Sequence, residues 1–201
     1  MIRLYGISQS RALRCLWALE EIGVPYEHVK TNFTTDAKQP EYLKINPNGR
    51  IPALVDGELT LFESMAINLY LSRRYGAGTL QPKSQDDDAR AVQWSFWVMT
   101  EIEPPLMQIF VHTVMAPPDQ RKPEIAKAGH EAIVKPLKVL DGALAGREFL
   151  LRAGFSIADL NVASVLGLLA VARFDFSPYP NVMRWFDASL ARPAFARARS
   201  K

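Results

Sequence analysis

Hydrophobic and polar positions follow alternating strand and helix patterns along the first third of the chain. Residues 2–5 form a short apolar segment that ends at Gly6, and the apolar residues after it recur at helical spacing. These helical positions are Leu13, Leu16, Trp17, Leu19 and Ile22. Gly23 and Pro25 end the helix, and residues 26–33 have a second strand-like pattern. The pattern predicts a strand–helix–strand unit of the length that a parallel right-handed crossover requires.

The next segment predicts a β-hairpin followed by a helix. An Asn-Pro-Asn-Gly sequence at 46–49 is a dense turn signal ahead of the apolar residues 51–55. An Asp-Gly pair then separates that segment from residues 59–62, which is a strong hairpin signal. Residues 63–74 carry an apolar side at helical spacing. The order β-α-β followed by β-β-α predicts a thioredoxin-like domain, with a mixed sheet of about four strands covered by helices.

The architecture then changes. Residues 76–88 are rich in glycine, polar and acidic residues, as in a linker that leads into a helix, and nearly all of the later chain has helical periodicity. We therefore predict an α/β plus all-α fold class. The thioredoxin-like N-terminal domain is expected over residues 1–78 and an all-helical C-terminal domain over residues 86–201.

A few residues set the boundaries of the predicted C-terminal helices. Pro104 and Pro105 are expected to bend or break the long first helix, and Pro136 is expected to interrupt the second. The third helix has the clearest start in the chain. Its first residues, Ser156-Ile157-Ala158-Asp159, form a capping-box pattern with Asp in place of Glu.

Composition and charge exclude several classes of protein. The chain has 201 residues, of which 48% are hydrophobic, and this excludes disordered and fibrous folds. Its 24 Lys+Arg and 21 Asp+Glu residues alternate in sign, so we expect no nucleic-acid partner. The one basic cluster, residues 192–201, is expected to end a helix in solvent.

The cysteine count and the apolar runs indicate where the protein works. A single cysteine, Cys15, excludes an internal disulfide and a metal site built from several thiolates, and we expect no bound metal. The N-terminus lacks an apolar signal core, and no apolar run approaches the ~20 residues of a membrane span. A cytoplasmic protein without a membrane partner is therefore predicted.

The first candidate for chemistry is the junction between the first strand and the first helix. Ser8, Ser10 and Arg11 lie there, where unpaired N–H groups and the helix dipole attract anions. A serine hydroxyl at this place could donate a hydrogen bond to a thiolate, although Ser10 could equally be a helix N-cap. No His or Asp follows at the spacing of a hydrolase nucleophile, so covalent serine catalysis is unsupported.

Two further dipeptides suggest a peptide-binding edge. The bond from Ile51 to Pro52 is trans by default, but a cis bond would turn the Ile51 backbone outward to pair with an extended peptide. Glu63 and Ser64 open a helix, where they could serve only as capping residues. Alternatively, Ser64 could receive a carboxylate and Glu63 an ammonium group. A carboxylate and an ammonium group on the same carbon form the α-amino acid end of a γ-glutamyl peptide.

These sites occur in the order found in the cytosolic glutathione S-transferases, and the sequence resembles that family over nearly its whole length. The matching segments are residues 4–6, 17–27, 46–54, 61–67, 156–159 and 192–195. The resemblance implies a thioredoxin-like glutathione site packed on an all-helical domain, usually in a homodimer. It also implies glutathione as co-substrate and, as partner, a small hydrophobic electrophile in a detoxification reaction.

The resemblance also implies roles for individual residues. It makes Pro52 the cis-proline, Ile51 the residue whose backbone pairs with the cysteinyl part of glutathione, and Glu63 with Ser64 the γ-glutamyl anchor. Arg50 would lie near the glycyl carboxylate or remain a solvated charge of the turn.

For the catalytic hydroxyl, the resemblance to serine-type, theta-like and Nu-like members favours Ser10. Ser8 and Tyr5 remain open alternatives for the contact with the sulfur, whereas Cys15 lies too far along the helix. The expected electrophile pocket is lined by Trp97, Met107 and Phe110, which could instead be ordinary core residues.

The expected activity is transfer of glutathione to the electrophile. The alternatives are a glutathione-dependent disulfide reductase or peroxidase, and a non-catalytic member that binds ligands or proteins.

Overall fold

The structure, a computed structural model, describes residues 1–201 and divides into two compact units. The first unit comprises Met1–Gln81 together with Ala191–Lys201, and the second comprises Pro82–Leu190. Every strand of the chain lies in the first unit, whereas the second contains helices and no strand. The predicted α/β plus all-α fold class is therefore confirmed.

The first unit contains a 4-stranded sheet in the order β2-β1-β3-β4. Its strands are β1 (Ile2–Tyr5), β2 (Tyr26–Val29), β3 (Ala53–Asp56) and β4 (Leu59–Phe62). Strand β1 is parallel to β2 and antiparallel to β3, and β3 forms the predicted hairpin with β4. Gly57, with φ of 61°, occupies the turn, where a left-handed conformation favours glycine. This is the thioredoxin-like arrangement that the pattern predicts.

Helices α1 (Ala12–Ile22), α2 (Pro40–Leu43) and α3 (Ser64–Tyr75) complete this arrangement. The apolar positions of α1 are buried as the helical spacing predicts. The helix ends at Gly23, which has φ of 75° and donates its N–H to the carbonyl oxygen of Leu19 over 2.9 Å. A left-handed residue at this position is the common way to end a helix, and it explains the Gly23 signal.

The last helix, α10 (Pro193–Arg199), packs on α1 within the same unit. The rings of Phe195 and Trp17 lie 4.8 Å apart. Arg192 donates from Nε and Nη2 to the two carboxylate oxygens of Glu21, over 2.6 and 2.9 Å. The basic tail that the sequence places in solvent therefore pairs with acidic residues of α1. The two predicted domain ranges, residues 1–78 and 86–201, stay a prediction. They do not include the packing of α10 on α1 in the first unit.

The second unit is built from helices. These helices are α4 (Gln85–Trp97), α5 (Glu103–Phe110), α6 (Pro123–Ala132), α7 (Val134–Ala143), α8 (Ile157–Val171) and α9 (Pro180–Leu190). Pro104 and Pro105 do not break the first of them, because a π-helical turn at Val98–Ile102 continues α4 into α5. Both prolines lie in the first turn of α5, where a helix tolerates the missing N–H. Likewise, α6 and α7 separate at Ile133, so that Pro136 lies in the first turn of α7.

The predicted capping box at the start of α8 is confirmed. The Asp159 carboxylate accepts hydrogen bonds from the Ser156 N–H over 3.0 Å, from the Leu150 N–H over 2.8 Å and from Trp185 Nε1 over 2.9 Å. Burial raises the pKa of Asp159 to about 6, against the opposing effect of these donors. The helix itself is buried on most sides, yet no helix of the structure is both long and apolar enough to cross a membrane.

Candidate functional site

The three candidate segments of the first unit meet around the end of β1. Gly6 follows β1 with φ of 147°, and a methyl group at this position would lie 2.4 Å from Cβ of Ala12 and 3.6 Å from Cβ of Ile51. The start of α1 and the segment before β3 therefore approach the same glycine, which must stay small. The start of α3 contacts α1 directly, since Arg14 bonds Ser64. The sequence places these segments in order along the chain, and the structure brings them together.

At the start of α1, Ser10 has the geometry of a local capping residue. Its Oγ accepts a hydrogen bond from the Ala12 N–H over 3.1 Å and donates to the Ile7 carbonyl oxygen over 2.7 Å. Because the Ser10 hydroxyl donates to Ile7, it must turn its proton away from that oxygen before it can donate to a sulfur atom. The other serine, Ser8, is 8% exposed. The proposed role of Ser10 as the catalytic hydroxyl stays a prediction.

Tyr5, the remaining candidate for the sulfur contact, is buried in the domain core, and so is Cys15, which the sequence analysis sets aside. Tyr5 lies in a hydrophobic cluster, with its ring 6.0 Å from that of Tyr42 in an edge-to-face arrangement. Cys15 is fully buried on α1, and burial raises the pKa of its thiol far above the ordinary range. Cys15 therefore remains a thiol under ordinary conditions, and such a buried thiol is a poor nucleophile.

The peptide bond between Ile51 and Pro52 is cis. Strand β3 begins only at Ala53, so Ile51 precedes the pairing of β3 with β1. The preceding carbonyl oxygen, that of Arg50, accepts hydrogen bonds from Tyr42 Oη and Asn46 Nδ2, both over 2.7 Å. These two bonds fix the loop that leads through Ile51 into β3.

Two cations lie at this loop, of which the sequence analysis identifies one. Arg50 is exposed. Lys38 donates from Nζ to the carbonyl oxygen of Gly49 over 2.6 Å, which places a second positive charge next to Arg50. Lys38 is one of several lysines in polar loops, and nothing in its spacing from residue 50 signals the contact.

At the start of α3, the backbone of Glu63 is unusual. Glu63 has φ of 70° and ψ of 114°, and the helix has no side-chain cap at this end. A left-handed conformation at a residue other than glycine costs about 1–3 kcal/mol and is enriched at functional sites. The Glu63 side chain is exposed, while Ser64, the first residue of the helix, is 5% exposed. The sequence predicts the helix start but carries no signal of this backbone conformation.

Arg14 lies behind Ser64 and is 2% exposed. Its Nη1 donates to Ser64 Oγ over 3.4 Å, and its carbonyl oxygen accepts from Asn68 Nδ2 over 3.3 Å. The sequence analysis does not include Arg14 among the candidate site residues. A contact between residues 50 positions apart leaves no trace in local patterns.

The three residues of the predicted electrophile pocket lie in the second unit. Trp97 ends α4, and its ring packs edge-to-face on Trp94 at 4.9 Å. Met107 and Phe110 lie on α5. All three side chains are half-buried. Their assignment to a pocket for the electrophile stays a prediction. No group of three or more His, Cys, Asp or Glu side chains converges in a way that could hold a metal ion.

Comparison with known proteins agrees with this architecture. Residues 1–73 match the family described as "Glutathione S-transferase, N-terminal domain", and residues 102–193 match "Glutathione S-transferase, C-terminal domain". Glutathione S-transferase 3 of Zea mays is 35% identical over 98% of this chain and 92% of its own length.

Solved structures agree as well. A theta class glutathione S-transferase from Xanthomonas axonopodis pv. citri, with glutathione bound, superposes with a TM-score of 0.91 at 27% identity, over 100% of this chain and 97% of that one. A glutathione transferase from Burkholderia graminis, with two glutathione molecules bound per subunit, gives a TM-score of 0.89 at 30% identity, over 100% and 88%.

A thioredoxin-like unit with a cis-proline edge, followed by a helical unit, defines the cytosolic glutathione transferase architecture. The chain belongs to the glutathione S-transferase family.

Proposed function

We propose that this protein is a glutathione transferase that ionises the glutathione thiol and directs it at a hydrophobic electrophile. The observation that carries the proposal is the convergence, around Gly6, of a helix N-terminus with the Ile51 edge, while Ser64 contacts the same helix. Each feature fits one part of the tripeptide. Family membership and the glutathione bound to the Xanthomonas relative support the same ligand.

In this proposal the tripeptide lies across the end of the sheet where β3 begins. The Ile51 backbone, next to the cis-proline Pro52, pairs with the cysteinyl residue as an added strand would. Ser64 receives the α-carboxylate of the γ-glutamyl residue, and Glu63 pairs with its ammonium group. At the other end, the positive charges of Arg50 and Lys38 face the glycyl carboxylate.

The energy needed to ionise the thiol is within reach of one hydroxyl and one helix. Lowering a thiol pKa of about 8.5 by two units requires roughly 2.7 kcal/mol of preferential stabilisation of the anion. A charge-assisted hydroxyl hydrogen bond contributes about 1.5–3 kcal/mol, and a helix N-terminus contributes up to about 2 kcal/mol. Ser10 would supply the hydroxyl by turning its proton from the Ile7 oxygen to the sulfur, while the Ala12 N–H keeps the oxygen in place.

The chemical step then needs no general base. The thiolate sulfur donates its electron pair to the electrophilic carbon, the carbon–sulfur bond forms, and the leaving group departs with the pair from its own bond. Trp97, Met107 and Phe110 would provide apolar surface for the electrophile. Action as a homodimer is part of the proposal. So is a location in the cytoplasm, where glutathione is kept reduced.

A second function, reduction of disulfides with glutathione, is favoured by one observation. The Burkholderia relative holds two glutathione molecules per subunit. The thiolate of one glutathione would attack a substrate disulfide, release one product thiolate and form a mixed disulfide. The thiolate of a second glutathione would attack the glutathione sulfur of this mixed disulfide, which forms glutathione disulfide and releases the other product thiolate. Activity with a disulfide substrate and none with an aryl halide would favour this function over transfer.

Calorimetric titration with glutathione, combined with thiolate absorbance against pH, tests the proposal. We expect Ser64→Ala to weaken binding. Ser10→Ala should leave binding largely intact but raise the pKa of the bound thiol, while Ser8→Ala, the matched control, should leave both unchanged. Equal thiolate formation in wild type and Ser10→Ala would remove Ser10 from the mechanism, and a shift confined to Ser8→Ala would transfer the role to Ser8. No binding of glutathione by the wild type would overturn the function.

A further inference from the structure

Arg14 brings a fixed positive charge to the rear of the proposed γ-glutamyl site. Its guanidinium is always ionised, and at 2% exposure it is screened little by water or salt. It contacts Ser64 Oγ from inside the domain over 3.4 Å. The side chain therefore stands next to the site without being available to a ligand from solvent.

Neighbouring contacts hold the start of α3 against the first turn of α1. Cys15 Sγ donates to the carbonyl oxygen of Ser64 over 3.7 Å, and Asn68 Nδ2 donates to the carbonyl oxygen of Arg14 over 3.3 Å. The position of Ser64 is therefore set by its backbone and by its side chain, through consecutive residues of one helix.

Arg14 also determines which way the Ser64 hydroxyl donates. A guanidinium has only donors, so Ser64 Oγ accepts in this contact and its own proton is left for another acceptor. A hydroxyl that accepts from a cation is polarised and becomes a better donor. With the positive charge behind it, the acceptor that Ser64 favours is an anion.

We infer that Arg14 is a positioning residue that makes this site selective for γ-glutamyl peptides with a free α-carboxylate. It acts through the Ser64 hydroxyl and touches neither the peptide nor the reacting sulfur. The inference rests on the proposed function, because it assumes that the γ-glutamyl end lies at Ser64.

A double-mutant cycle on the full chain, with glutathione as the titrant, tests it. We expect Arg14→Met to weaken binding about tenfold, the loss of part of a charge-assisted hydrogen bond. When Ser64 is already Ala, the same change should weaken binding by less than about twofold, since its effect passes through that hydroxyl. Arg14→Lys, which keeps the charge, should restore most of the affinity. Should Arg14→Met not fold, Arg14→Gln takes its place in the cycle.

Two ligand analogues separate a charge effect from a loss of structure. Glutaryl-cysteinylglycine keeps the carboxylate and lacks the ammonium group, whereas γ-aminobutyryl-cysteinylglycine keeps the ammonium group and lacks the carboxylate. The Arg14 effect should persist with the first analogue and vanish with the second. Cys15→Ala is the matched control: it removes the other contact to Ser64 without removing charge, and it should show no such dependence on the ligand.

The outcomes separate the inference from the function on which it rests. Wild-type protein that binds no glutathione overturns both. Wild-type protein that binds glutathione, with Arg14→Met and Ser64→Ala effects that multiply independently, overturns the inference alone. An Arg14 effect of equal size for both analogues does the same, because it would show that Arg14 supports the fold and not the recognition of the carboxylate.

Discussion

Helices α3 and α8 both have a serine at the N-terminus, as the first residue of α3 and as the N-cap of α8, but the two N-termini are completed in opposite ways. At α8, Ser156 and Asp159 form a capping box whose groups are satisfied within the protein. At α3, no side chain caps the helix, and Glu63 has a left-handed backbone that turns the chain into Ser64. The N–H groups and dipole of a helix start attract an anion wherever none is built in. The comparison shows that the start of α8 is completed within the protein and that of α3 is not, and the proposed function assigns the open start of α3 to a ligand.

The largest expected effect comes from removing the acid built into α8. We expect Asp159→Ala to lower the free energy of unfolding by about 3–5 kcal/mol, because it leaves several buried donors without an acceptor. Chemical denaturation followed by far-UV circular dichroism measures this. A loss below about 1 kcal/mol would show that the capping box contributes little to the stability of the fold, so that its role at α8 would no longer contrast with the start of α3.

The titration of the same carboxylate gives the next largest effect. Burial raises the pKa of Asp159 to about 6. This lies above the ordinary value of about 3.9, so between about pH 4 and pH 6 the folded protein binds more protons than the unfolded chain. The contribution of this group is then fully present below about pH 4 and is lost as the pH rises through 6, by about 3 kcal/mol. We expect wild type to lose stability relative to Asp159→Asn over this range. Parallel curves for the two proteins in chemical denaturation at several pH values would contradict it.

These two starts also show which features a sequence can predict. The capping box involves residues three apart, so its spacing is visible in the sequence and the prediction of α8 is confirmed. The strands and their hairpin follow from local alternation in the same way. The contact of Arg14 with Ser64 and that of Arg192 with Glu21 join residues 50 and 171 positions apart, and depend on how helices pack. Local spacing carries no information about such contacts.

The candidate site also combines features that local spacing predicts with features that it does not. The places of Ile51, Glu63 and Ser64 at the starts of a strand and a helix are predictable from local patterns, and the family resemblance adds their order, while their roles toward a ligand stay a prediction. The conformation of Glu63 is not predictable, since it results from how β4 connects to α3. Nor is the contact of Lys38 with Gly49, because it joins two loops.

Matched substitutions at the two serines provide the next test. We expect Ser156→Ala to lower the free energy of unfolding by about 1 kcal/mol, the usual cost of losing a helix cap, and to leave glutathione affinity unchanged. Ser64→Ala should weaken the affinity for glutathione, and because Ser64 Oγ accepts from the buried Arg14 side chain it should also lower the free energy of unfolding by about 1 kcal/mol. Thermal unfolding and calorimetric titration of both variants make the comparison. An unchanged affinity for glutathione in Ser64→Ala would mean that Ser64, like Ser156, has only a structural role.

The smallest expected effect concerns the strained residue before α3. Glycine adopts the left-handed region without the steric cost that Glu63 bears, so Glu63→Gly should raise the free energy of unfolding by up to about 1 kcal/mol despite the greater freedom of the unfolded chain. The same variant should bind glutathione more weakly, because the partner for the ammonium group is removed. Glu63→Gln keeps the backbone cost and loses only the charge, so it should weaken binding without a gain in stability. A glycine variant less stable than wild type would show that the Glu63 side chain supports the fold, and the open start of α3 would then no longer contrast with the closed start of α8.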